Sequence, residues 1–101
     1  MAAKYENFAE FYPFYLSEHS NRTNRRLHFT GSTGVLLLLA YLLFTQSWGL
    51  LVFLPVVGYG FAWIGHFFVE KNKPASFKQP WFSFMADWVM YKDILTGKIP
   101  F

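Results

Sequence analysis

Val35-Leu36-Leu37-Leu38-Leu39-Ala40-Tyr41-Leu42-Leu43-Phe44 is an unbroken apolar stretch, and it decides the fold class. It is the centre of Leu27–Phe44, a run with no formal charge beyond whatever His28 carries. At about 1.5 Å per residue, a helix of this length reaches the short end of what crosses a hydrocarbon core about 30 Å thick. The N-terminal half of the run holds Thr30-Gly31-Ser32-Thr33-Gly34. Small residues let helices approach closely in lipid, where packing has to replace the hydrophobic drive.

After the uncharged turn Thr45-Gln46-Ser47 comes a second, longer apolar run, Trp48–Val69. It contains Pro55, Gly58, Gly60 and Gly65, which predict kinks, and Gly58 and Ala62 make a small-xxx-small pair. The two runs predict a transmembrane hairpin. Basic residues flank its open ends and none flank the turn, so the positive-inside rule places both termini in the cytoplasm.

Each side of the hairpin carries a shorter helical pattern. In 5–19, Tyr5, Phe8, Tyr12, Tyr15 and His19 recur at helical spacing, which predicts an interfacial helix that Pro13 kinks or restarts. Ser20–Arg26 is a polar, basic connection in which Asn21 and Asn24 suit capping positions. Residues 81–95 form a third stretch, with Pro80 at its first turn and Gly97 past its end. It is short for a span and predicts a helix lying at the interface or packed on the hairpin. The class is all-α: an integral membrane helical hairpin with flanking interfacial helices, in one domain over 1–101.

Composition agrees. Hydrophobic residues are 53% and charged residues 15%, too apolar a balance for a water-soluble chain of 101 residues to hide. There are no cysteines, which excludes disulfides, thiolate metal sites and cysteine nucleophiles. The net charge of +3 is modest, and the basic clusters abut apolar runs, so nucleic acid is excluded as a partner. Met1–Phe14 lacks the apolar core of a signal peptide. Neither a Gly-rich phosphate loop nor a GxSxG motif occurs.

The histidines carry the chemistry. Counted from Gln46 at the hairpin tip, His28 lies almost as far back along the chain as His66 lies forward. The two separations correspond to roughly 27 and 30 Å along a helix. His19 ends the interfacial helix at the same face, so all 3 histidines converge on one layer. Imidazole is a favoured ligand of Fe, Zn, Cu and Ni, and histidines with one carboxylate and open positions suit a non-haem Fe(II) centre. Glu70, one helical turn after His66, offers that carboxylate as a ligand or as an orienting partner. Read singly, each residue also has a plainer use. A histidine can be an interfacial anchor, Glu70 a solvated helix-end acid, and Arg22, Arg25 and Arg26 topology determinants. Those arginines, with Lys71, otherwise suit a carboxylate or phosphate head group. Asp87, alone in an aromatic helix, suits an outer partner that orients a histidine.

Two blocks of sequence extend this reading. Phe11-Tyr12-Pro13-Phe14-Tyr15-Leu16, His19, Asn21 and Asn24-Arg25-Arg26-Leu27-His28-Phe29 form the first. Trp63, Gly65-His66-Phe67 and Glu70-Lys71-Asn72-Lys73-Pro74-Ala75 form the second. Together they resemble the metabolism-of-phytosphingosine family, small membrane proteins that include a 2-hydroxy-fatty-acid dioxygenase of the endoplasmic reticulum. The resemblance implies α-oxidation dependent on Fe(2+): a 2-hydroxy fatty acid reacts with O2 and loses its carboxyl carbon. It carries the metal-ligand role to His19, His28 and His66. The chain has a single short hairpin where the longer eukaryotic form has extra apolar segments, which suggests a bacterial-type member in the inner membrane. Two other classes stay open on the residues alone. One is a non-catalytic membrane module that binds anionic lipid or a protein partner, and the other is a zinc-dependent membrane hydrolase. The small-residue helix faces also suit a homodimer.

Overall fold

The computed structural model describes residues 5–74 and 78–101. Met1–Lys4 and Ala75 of the second sequence block lie outside the described residues. Among the described residues the fold is all-helical, without strands. Helix α1 covers Phe8–Ser17 and α2 covers Arg22–Thr45. Helix α3 covers Trp48–Glu70 and α4 covers Pro80–Leu95. Helices α2 and α3, with 24 and 23 residues, are both long and apolar enough to span a membrane.

The hairpin closes where the sequence suggests. Gln46 turns in the left-handed region with φ 56°, and Ser47 N–H donates to the carbonyl of Leu42. Helix α3 starts as a tight 3-10 turn over Trp48–Val52, becomes α-helical over Phe53–Ile64, and widens to π turns over Gly65–Glu70. The two long helices pack along their length through small residues. A methyl group at Gly31 would lie 3.0 Å from Phe61 Cβ, and one at Gly34 would lie 3.0 Å from Val57 Cγ1. Their outer faces stay bare: Leu37 is 68% exposed, Phe44 93% and Phe68 75%. That apolar surface suits lipid and not water.

The hydrophobic core lies beside the hairpin, between α1 and α4. Phe11, Tyr15, Ala86, Met90 and Ile94 are buried together, with Phe8, Phe29 and Phe82 packed around them. The inward stripe of α1 is Phe11–Tyr15–His19, at i, i+4 and i+8, while Tyr12 is only half-buried. The expected stripe through Phe8 and Tyr12 is therefore rotated toward Phe11. Pro13 does not break α1. It lies on the exposed side of the helix, where the Ala9 carbonyl it leaves free also faces outward.

Helix α4 packs on α1 and α2. Polar ties hold it, among them Thr33 Oγ1 of α2 at 2.9 Å from the Tyr91 hydroxyl. Gln79, just before the helix, exchanges two hydrogen bonds with the backbone of Tyr5, at 3.0 and 2.8 Å. Tyr12 donates to Asp93 at 2.8 Å, and Tyr15 donates to Asp87. The helix ends at Gly97, whose φ of +83° suits a glycine, and Lys98 N–H then returns to the Asp93 carbonyl at 2.8 Å.

The hairpin contact is testable. Gly31→Leu should lower the unfolding midpoint in micelles by the equivalent of about 1–3 kcal/mol through overpacking. Gly60→Ala, where an added methyl meets nothing within 4 Å, should hold or raise it. Equal losses in both variants would show that the close approach of α2 and α3 does not hold the hairpin.

Candidate metal centre

Three helical elements each deliver one histidine to the open end of the hairpin. His19 follows α1, His28 is in the second turn of α2, and His66 is in the widened last turns of α3. All three are shielded, at 1%, 7% and 2% exposure. Their candidate ligand nitrogens lie within 4.8 Å of one another.

Hydrogen bonds decide which nitrogen each ring offers. His19 Nδ1 lies 2.7 Å from the Tyr15 carbonyl, and His28 Nδ1 lies 3.0 Å from the Asn24 carbonyl. A carbonyl only accepts, so both Nδ1 atoms carry the proton. His66 Nδ1 lies 2.7 Å from Asn72 Oδ1, and the amide nitrogen of Asn72 donates to the Glu18 carbonyl at 3.2 Å, which fixes the amide's orientation. Every Nε2 is thereby left with a lone pair. The Nε2 atoms of His19 and His28 are 3.0 Å apart. Two lone pairs at that distance repel unless a cation lies between them. A shared proton would require a charged imidazole, which burial and the neighbouring His28 oppose by holding His19 well below its ordinary pKa. The donor set therefore fits a metal ion, with each ligand oriented by a second hydrogen bond in the manner of bound histidines.

Glu70 does not join the three donors. Its carboxylate accepts from the backbone N–H of Asn21, the N-cap of α2, and so ties the end of α3 to the start of α2. Asn21 itself caps α2 by accepting from Thr23 N–H at 2.8 Å. Asn24, expected as a cap, is instead wholly buried against α3. A methyl group at Gly65 would collide with its Oδ1, so that position admits only glycine.

The expected substrate-binding cations do not line the histidine cavity. Arg25 donates from Nη1 to the carbonyls of His19 and Ser20, at 3.1 and 2.9 Å, and so holds the α1–α2 connection. Arg26 covers the Phe101 ring at 4.8 Å. Arg22 and Lys71 are exposed at the rim. Lys71 adopts φ 59°, which turns the chain back so that Asn72 reaches His66.

The family model described as 2-hydroxy-palmitic acid dioxygenase Mpo1-like matches residues 5–99. The chain belongs to this family. No curated protein and no solved structure matches it.

The cavity of this Mpo1-like chain has further walls, of which the sequence marked Tyr15, Pro74 and Asp87 but not Tyr59 or Ser83. Tyr15, Tyr59, Pro74, Ser83 and Asp87 line it beside the histidines. Among the described residues, Ser83 Oγ is buried without a hydrogen-bond partner. Asp87 reaches the histidines only at one remove: it accepts from Tyr15, whose own carbonyl holds His19. Burial raises the Asp87 carboxyl to about 6, against the opposing Tyr15 hydrogen bond. A second, apolar cleft of about 420 Å³ adjoins the first, and the two share His28, Tyr59, Ala62 and Asp87 as walls.

Two outcomes follow from this geometry. Replacing Asn72 with Ala should weaken metal binding by about 10–100-fold while the helical content stays intact, as measured by competition with a chelator. Unchanged affinity would remove Asn72 from the centre. Asp87→Asn should raise the unfolding midpoint near neutral pH by roughly 1–3 kcal/mol. The folded carboxyl titrates near 6 and the unfolded one near 3.8, so the stability given by its protonated form is lost as pH rises through that window. The benefit of the variant should therefore vanish in acid.

Proposed function

We propose that this chain is a membrane-bound, iron-dependent dioxygenase that shortens 2-hydroxy fatty acids by one carbon. The observation that carries the reading is the convergence of three Nε2 lone pairs in a buried layer, with an apolar cleft adjoining it. Family membership adds the substrate class, since the family's description names 2-hydroxy-palmitic acid. The balanced reaction takes the 2-hydroxy acid and O2 to the shorter acid, carbon dioxide and water.

His19, His28 and His66 would hold the metal, which when bound supplies a Lewis acid for the substrate's oxygens and a site for oxygen chemistry. An all-imidazole, cysteine-free donor set suits a non-haem iron and argues against structural zinc. The protein's own work is to position. Tyr15, Asn24 and Asn72 keep the protons on Nδ1, and the rings cannot turn without breaking those bonds. Ser83 Oγ, with its hydrogen bond unmet, would donate to the substrate's carboxylate or 2-hydroxyl, and Asp87 would orient the other oxygen. The free volume beside the histidines is small, about 20 Å³, and continues into the larger apolar cleft through the walls the two share. Arg22 and Lys71 at the rim would draw an anionic acid toward the opening.

The hairpin would sit in a bacterial inner membrane with the histidine layer and both termini at the cytoplasmic face. Arg22, Arg25, Arg26, Lys71 and Lys73 all lie at that end.

The test is anaerobic purification and loading with ferrous iron, followed by oxygen uptake with a 2-hydroxy fatty acid. The expected result is stoichiometric iron, oxygen consumption and a product one carbon shorter by mass spectrometry, all lost in His66→Ala. An iron-loaded protein that consumes no oxygen with any 2-hydroxy acid would overturn the reading. Zinc in place of iron in the anaerobically purified protein would support the hydrolase instead.

A further inference from the structure

We infer that the apolar cleft is a ruler for the acyl chain, and that Leu39 and Leu54 at its deep end set the length of acid accepted. The inference rests on the oxidation reading for the identity of the head group. The wall supplied by α2 is His28, Ser32, Val35 and Leu39, at i, i+4, i+7 and i+11, one continuous helix face. The facing wall is α3, with Leu54 deepest and Gly58 midway, and Trp88 of α4 closes the side. The polar walls, His28 and Asp87, belong to both the cleft and the histidine cavity; beyond Ser32 the cleft is apolar apart from the Tyr59 hydroxyl. A ligand that fills both must have a polar head and one apolar tail.

The dimensions fit a fatty acid. The volume of about 420 Å³ is within the usual range for a small-molecule site. From His28 to Leu39 the α2 face runs roughly 16 Å at about 1.5 Å per residue. An extended chain advances about 1.2 Å per bond, from about 3.6 Å per three-bond residue, so that face spans roughly 13 bonds. With its first two carbons at the histidines, a long-chain acid would reach Leu39 and Leu54. Those side chains lie at matching depth, since Gln46 at the hairpin tip is almost midway between them in sequence. The occupant is thus the tail of the acid whose head is at the histidines, and the extent of the lining, which ends at Leu39 and Leu54, gives it a length.

The experiment uses the full chain in nanodiscs, loaded with ferrous iron, and a series of saturated 2-hydroxy acids of graded length. Binding is read by displacement of a fluorescent fatty acid, and turnover by oxygen uptake. Leu39→Trp and Leu54→Trp should each lose about tenfold or more in affinity for the longest acids, retain the shorter ones, and keep their iron. Leu37→Trp, at a position on the same helix that is 68% exposed and outside the cleft, should leave the series unchanged. A series unmoved by Leu39→Trp and Leu54→Trp, or moved equally by Leu37→Trp, overturns the ruler. A length-dependent binding shift without oxygen uptake in any protein would uphold the ruler and sink the dioxygenase reading.

Discussion

Three hydrogen bonds govern this molecule: those from the Nδ1 protons of His19, His28 and His66 to oxygens of Tyr15, Asn24 and Asn72. Each fixes a tautomer, and together they aim three bare nitrogens at one point. Two of the acceptors are backbone carbonyls one helical turn before their histidines, so the helix itself orients the ring. The third is a side chain, because His66 lies in wide turns at the end of α3 and Asn72 comes from the chain beyond it. Wide turns of this kind recur at functional sites, where one register step re-aims a side chain.

The rest of the fold holds those acceptors still. The glycine contacts of α2 with α3 set the distance between His28 and His66, and Asn24 against Gly65 fixes it at the layer itself. Helix α1 is pressed into place by α4, through Phe11, Tyr15, Met90 and the Tyr15–Asp87 bond. Arg25 holds the short connection that carries His19 by binding its carbonyl. The aromatic core beside the hairpin therefore exists to place a single ring, since without it only two histidines would be anchored.

Much of this was legible in the chain. Hairpin, turn, small-residue contact and histidine layer all follow from run lengths and depth counting, because helical rise is constant. What was hidden depends on chain reversals or on facing partners. Asn72 becomes a partner only through the left-handed Lys71, which no periodicity marks. Asn24 resembles a cap by type, and only the matching Gly65 on another helix shows why it is buried. Arg25 and Arg26 are occupied by the connection and the C-terminal Phe101, contacts set by tertiary packing. Of the 10 residues of α1, Phe8, Phe11, Tyr12, Phe14 and Tyr15 are aromatic and spread around the helix, so the inward face could rotate without violating the pattern. Glu70 was placed at the right end of the hairpin, but its acceptor role went to the backbone of Asn21.

The whole hairpin lies between His66 and the other two histidines, His19 and His28. An ion joining them would cross-link the chain much as a covalent staple does, restricting the unfolded ensemble and making folding and metal loading one equilibrium.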